Sequence, residues 1–389
     1  MSEKVKKKKI LWQQYIGMVF FVLIGAVCGF FMARYIGWGS GADKALPEKI
    51  LSLIGLFLGM YVAIFVQLII HEAGHLVFGL LSGYAFGSFR IFSFMWVKEG
   101  EKIRLRRLSI AGTGGQCLMT PPDMVDGRIP VILYNLGGSL MNVMAGLVFL
   151  GLYFVFASAA LLPDIMLLFA VVGFILAVMN GVPMRMGMVD NDGYNALSLT
   201  RSREAMRSFW MQMKVNEQIA KGVRMKDMPD EWFAIPSDEA MKNSMAAVTG
   251  VFACSRLMDA QRFEEAEKLM RHMLEIDSGM VGLHRNLLLC DCIYAALITG
   301  NRRDVLDVMR TKEQKKFMKQ MKNFPSVIRT EYAYALLCER DLAKADKFKE
   351  QFEKCAKTYP YPNDVQSERN LMELAAEKMK AETAHAEGF

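Results

Sequence analysis

His71-Glu72-Ala73-Gly74-His75 has the residue types and the spacing of a metal site. On a helix, positions i and i+4 share a face, so the two imidazoles can grip one ion. The glutamate between them then lies beside a water on that ion. This is the H-E-x-x-H zinc spacing. The chain has five histidines: His71, His75, His272, His284 and His385. The last three lie far along the chain, so a third ligand in the first half has to be a carboxylate. Asp190 and Asp192 are the candidates, because no acidic residue lies between Asp164 and Asp190.

The elements that must position these groups are apolar. Residues 51–70, just before the motif, are almost all hydrophobic, and a helix over about Ile50–Leu81 is long enough to cross a bilayer. Similar runs lie at about Ile10–Ala33, Ile129–Leu162 and Ile165–Met179, with Pro163-Asp164 expected as a tight external turn. The pattern therefore predicts four spans. His, Glu and His inside such a span are costly unless an ion compensates them. Zn²⁺ would do so, since it takes neutral imidazoles and tolerates an anionic Glu72 nearby. Asn135 and Asn142 in the third run are also costly in lipid unless they face protein or a polar cavity.

Between the second and third runs, Phe89–Val97 and Lys102–Ile110 alternate imperfectly around Lys98-Glu-Gly-Glu101. That predicts a small β-hairpin, followed by an irregular connection through Gly112-Thr-Gly-Gly115. Its arginines and lysines, with the lysines at 4–9, place this loop and both termini in the cytoplasm by the positive-inside rule.

Hydrophobic residues make up 53% of the 389, and they concentrate in the first half. The second half is charged and helix-rich. The net charge of +7 comes with no nucleic-acid motif, so flanking of membrane spans accounts for it better. The seven cysteines form no C-x-x-C pair, which fits reduced thiols. Turn-like segments at 261–266, 300–305 and 340–345 recur about 40 residues apart, and each is followed by an amphipathic helix. They suggest tetratricopeptide-like helical hairpins over 243–389, after a linker and helix at 201–242. The expected organisation is a basic N-terminus, first span and external loop over 1–49, then a membrane core over 50–200.

Three elements resemble the site-2 protease family of intramembrane zinc metalloproteases. His71-Glu-Ala-Gly-His75 resembles its H-E-x-G-H. Gly138-Ser-Leu-Met-Asn142 resembles its G-P-x-x-N element, with serine where proline is common. Asn180-Gly-Val-Pro183 followed by Asp192-Gly193 resembles its N-x-x-P…D-G motif, which carries the third zinc ligand. The resemblance spans about residues 50–199. The usual L-D-G is Asn191-Asp-Gly193 here, with a longer gap after Pro183, so Asp190 stays a rival to Asp192.

The resemblance implies an α-helical, multi-pass protein of a bacterial cell membrane: a four-span zinc-protease core with a cytoplasmic-side hairpin, then a soluble all-α domain. It implies Zn²⁺ on His71, His75 and Asp192, and Glu72 as general base. It implies hydrolysis of membrane-anchored proteins or peptides. Asn142 or Asn135 would steady the oxyanion or the substrate backbone, or else only pair helices. The C-terminal helices would recruit substrate or a regulator. The competing reading is a non-catalytic membrane scaffold whose C-terminal repeats bind partners. A transporter is a third reading, but the spans show no internal duplication.

Overall fold

A computed structural model describes residues 45–159, 162–300 and 303–387, with Val22, Ala26, Gly29 and Phe30. The expected first span at 10–33 lies almost wholly outside these residues. Among those described, three helices are long and apolar enough to cross a membrane: α1 (Leu46–Leu81), α2 (Ile132–Val155) and α3 (Leu162–Gly181). Their flanks expose Leu51, Phe57, Tyr61, Leu147 and Val148. Water penalises such a surface, whereas lipid accommodates it.

Local chemistry sets the ends of these helices. α1 begins four residues earlier than expected, with Pro47 and Glu48 in its first turn, where a missing N–H costs nothing and a negative charge meets the helix dipole. It stops at Gly83, whose φ of +85° suits glycine. There the Tyr84 N–H donates to Gly79 O and the Gly83 N–H to Leu80 O, a Schellman closure. α2 starts only after Pro130. α3 starts at Leu162, so Pro163 and Asp164 form its first turn and not an external turn before it.

The chain divides into two compact units. One comprises residues 1–75, 135–186 and 190–194; the other comprises 76–134, 187–189 and 195–389. The second unit contains a four-stranded antiparallel sheet of order β3-β2-β1-β4, built from β1 (Ala85–Ile91), β2 (Phe94–Glu99), β3 (Lys102–Arg107) and β4 (Gly115–Thr120). The expected hairpin is thus only its centre, β2–β3, turning at Gly100. The run expected as a single strand over 89–97 breaks at Phe92, which takes φ +52° and turns β1 into β2. The expected irregular connection continues into β4, whose Gln-Cys-Leu-Met core lacks the β-branched residues that announce a strand. Arg90, fully buried, holds this corner: its Nη1 donates to Phe92 O, and its Nη2 to Thr113 Oγ1 and Gly115 O.

The helices of this unit follow in order. They are α4 (Asp192–Arg201), whose first residues belong to the other unit, and α5 (Arg203–Ala220). Three 3₁₀ turns over 225–242 occupy the expected linker. Then come α6 (Ser244–Asp259), α7 (Phe263–Glu275), α8 (Gly282–Gly300), α9 (Arg303–Met309), α10 (Lys312–Gln320), α11 (Pro325–Ala333), a π-helical turn at Tyr334–Glu339, α12 (Leu342–Ala356) and α13 (Pro362–Glu387). α6 and α7 turn through Gln261 (φ +58°), and α12 is entered through Arg340 (φ +58°), two of the three expected turns. Met95, Val97 and Leu108 from the sheet share one core with Met270, Tyr294, Leu337 and Phe352 from the helices. Such burial contributes about 1.5–3 kcal/mol for each large apolar side chain.

This unit also buries charge. Arg329, 1% exposed, donates from Nε to Glu368 (2.8 Å) and from Nη2 to Asp291, and stacks on Tyr294. Asp364, in the first turn of α13, is pushed up to about 7 by burial and then by Glu368 and Asp259. Between about pH 4 and 7 the unfolded chain releases that proton while the fold keeps it. Stability conferred through this group therefore falls as pH rises through that window. Asp364→Asn is expected to raise the Tm at pH 8, with a smaller gain at pH 5, as read by thermal unfolding. A lower Tm for the variant at pH 8 would show the carboxylate to be stabilising.

Candidate metal centre

Gln67, His71 and His75 stand four residues apart on α1 and share one face, which turns into the bundle. Gln67 is fully buried, and the two histidines nearly so. Glycines let the neighbouring helix approach. A Cβ on Gly74 would lie 2.3 Å from Gly137 O and 2.7 Å from Met141 Cβ. A Cβ on Gly138 would lie 2.5 Å from His71 Cε1. No side chain larger than hydrogen fits at either position while α1 and α2 keep this spacing.

A hydrogen-bond relay sets the His71 ring. Gln67 Nε2 donates to Phe169 O in α3 (2.9 Å). Asn142 Nδ2 donates to Gln67 O and to Gln67 Oε1, both at 2.9 Å. A backbone carbonyl can only accept, so the Asn142 nitrogen must face it and Asn142 Oδ1 must face His71. His71 Nδ1 lies 2.7 Å from that oxygen and therefore carries the proton. Nε2 is left as a bare lone pair, the form that binds metal.

The carboxylate arrives from the start of α4. Asn191 caps it: Oδ1 accepts from Tyr194 N (3.0 Å) and Met184 N (2.9 Å). Its Nδ2 donates to Met179 O (2.7 Å) and Val182 O (2.6 Å), tying α4 to the end of α3. Gly193 lets the two backbones touch, since a Cβ there would lie 2.2 Å from Gly181 O. Asp192 Oδ2 then lies 3.0 Å from His71 Nε2 and 3.3 Å from His75 Nε2. The two Nε2 atoms are 3.3 Å apart.

Three ligand atoms thus form a nearly equilateral triangle. Ligands at ~2.0–2.1 Å around a tetrahedral zinc stand ~3.3 Å from each other. Among the described residues this is the one group of three or more His, Cys, Asp or Glu whose ligand atoms converge so closely. Two imidazoles and a carboxylate are the donor set and ligand number of catalytic zinc sites. Glu72, 5% exposed, adjoins His71 in the helix.

The structure separates the two aspartates left open by the sequence. Asp190 turns away to Arg185, with Nε to Oδ1 at 3.4 Å, while Asp192 joins the histidines. Asn142 is fully buried, with its amide on Gln67 and its oxygen on His71; Asn135 is buried seven residues earlier on the same helix. Sequence reasoning missed Gln67 and Asn191. Gln67 had a signal: a polar residue inside an apolar run, four positions before His71. Asn191 had none that stood out, because an asparagine between two aspartates in an irregular stretch reads as ordinary loop. Comparison of the chain with protein-family models, with curated proteins and with solved structures gave no match.

Asn142→Ala is expected to weaken metal affinity by about 10–100-fold, the usual cost of losing a group that orients a ligand. Asp192→Asn is expected to weaken it further, and Asp190→Asn to leave it near the native value. Competition with a chelating dye on the purified chain measures all three. Equal losses at Asp190 and Asp192 would contradict the assignment.

Proposed function

We propose that this chain is an intramembrane zinc metalloendopeptidase of the site-2 protease kind, acting on membrane-anchored proteins or peptides. The observation that carries the reading is the triangle of His71 Nε2, His75 Nε2 and Asp192 Oδ2, with Glu72 adjoining, on a helix of membrane-crossing length. The motif resemblance over residues 50–199 adds to it. Residues 10–33 supply the fourth span in this reading, which puts both termini in the cytoplasm of a bacterial cell.

Zn²⁺ held by these residues would lower the pKa of water towards ~7 and polarise a carbonyl. The chain's own groups do the rest. Glu72 takes a proton from the attacking water at its carboxylate and returns it to the leaving amine. Asn142 keeps His71 in the tautomer that binds the ion. Apolar helices around the site exclude bulk water and strengthen each charge within it.

A helical substrate has its carbonyls already bonded, so it must unwind to be cut. Edge strand β3 offers backbone groups to an extended segment. One end is already used, since Arg107 N donates to Thr358 O. The helical hairpins after residue 243, read as tetratricopeptide-like, would hold a protein partner.

Glu72→Gln is expected to retain about one zinc per chain while peptide release falls by roughly 10²–10⁴-fold. Mass spectrometry of membrane peptides from cells carrying the native chain or the variant measures the loss and names the substrate. Identical peptide sets, with zinc present in both proteins, would remove Glu72 as base and the protease reading with it.

A further inference from the structure

The second compact unit contains a half-open cavity of about 320 Å³ that the proposed proteolysis does not use. Its size lies at the lower end of the ~300–1,000 Å³ range of small-molecule sites. Its walls come from the sheet, α5, α6, α8, α11 and α13, so no single stretch of sequence announces it. Four carboxylates (Asp259, Asp291, Asp364 and Glu368) and two guanidiniums (Arg224 and Arg329) line it. With every group ionised, the surplus is two negative charges.

Most of these charges are already engaged. Asp259 accepts from Arg224, from Lys226 N and from Ser367 Oγ. Asp291 and Glu368 share Arg329. Three polar groups on the cavity wall remain without a partner among the described residues. Arg329 Nη1 and His284 Nδ1 are buried with no hydrogen bond. The Asp364 carboxylate has neither a hydrogen bond nor an ion pair, and its nearest charges are two further carboxylates. An unsatisfied buried polar group costs about 1–3 kcal/mol, more when charged. Two of them, with the half-buried Asp364 carboxylate beside them, around one space of ligand size therefore point to an occupant.

The partners needed define that occupant. Asp364 requires a cation, and the surplus negative charge favours one over a neutral molecule. Arg329 Nη1 can only donate, so it requires an oxygen acceptor. A metal ion does not meet this need: the four carboxylates do not converge to ligand distance, and the one such cluster among the described residues is His71–His75–Asp192. We infer that this cavity binds a small ligand of the basic amino-acid class, its cationic group on Asp364 and its carboxylate or carbonyl oxygen on Arg329. A free basic amino acid and the basic end of a short peptide share this chemistry.

Isothermal titration calorimetry on the full chain in detergent tests the assignment, with L-arginine, L-lysine and glycyl-L-arginine as probes and L-glutamate and spermidine as controls. One equivalent of at least one of the three basic probes is expected to bind, with glutamate and spermidine at least about tenfold weaker. Strength for the dipeptide over both free amino acids would mark the ligand as peptide, and the reverse as free amino acid. Asp364→Asn is expected to lose at least about tenfold in affinity while its unliganded Tm at pH 8 stays equal or rises. A purely structural role would not move stability and binding in opposite directions. Ser326→Leu, which narrows the cavity without touching a charge, is expected to weaken binding as well. No binding of any basic probe at millimolar concentration would overturn the inference, as would equal binding of glutamate, or of spermidine, or native affinity in both variants. The outcome is independent of whether the chain cleaves peptides.

Discussion

Two imidazoles and a carboxyl group on an apolar helix, with a second carboxylate set against them, carry a desolvation cost that only close partners can offset, and the first unit is arranged around meeting that cost. The bond between His71 Nδ1 and Asn142 Oδ1 is its pivot. It fixes the ring, and through the tautomer it decides which nitrogen faces His75 and Asp192. Asn142 is itself held by Gln67, and Gln67 by a carbonyl of α3, so three helices contribute to the orientation of one ring.

That relay needs short distances between helices. Glycines supply them where α1 meets α2 (Gly74, Gly138), where α3 meets Gln67 (Gly173) and where α4 begins (Gly193). In water such close packing would bring a hydrophobic gain as well. In lipid it rests on van der Waals contact and hydrogen bonds, which makes small residues the natural choice. Asn191 completes the arrangement by capping α4 and binding the last carbonyls of α3, so that Asp192 leaves a fixed frame.

Much of this was legible in the sequence, because it is written in local spacing. The histidine pair, three of the apolar helices and the aspartate beside Gly193 all follow from local sequence patterns. The candidate third ligand needed geometry: Asp190 and Asp192 share a short segment, and the fold sets Asp192 against the histidines and Asp190 against Arg185. β4 was hidden by its Cys and Met residues, and the break in β1 by a phenylalanine at positive φ, which local pattern does not foretell. The charged cavity of the second unit was invisible for a different reason. Asp259, Asp291, Arg329, Asp364 and Glu368 are scattered over four helices, and nothing but the packed fold brings them to one wall.

The central claim is that His71, His75 and Asp192 hold one metal ion, and X-ray absorption at the zinc edge on the zinc-loaded chain tests it most directly. The account predicts nitrogen and oxygen neighbours at ~2.0–2.1 Å, the outer scattering of two imidazole rings, and no sulfur. A sulfur neighbour at ~2.3 Å, or an oxygen shell without imidazole scattering, would contradict it.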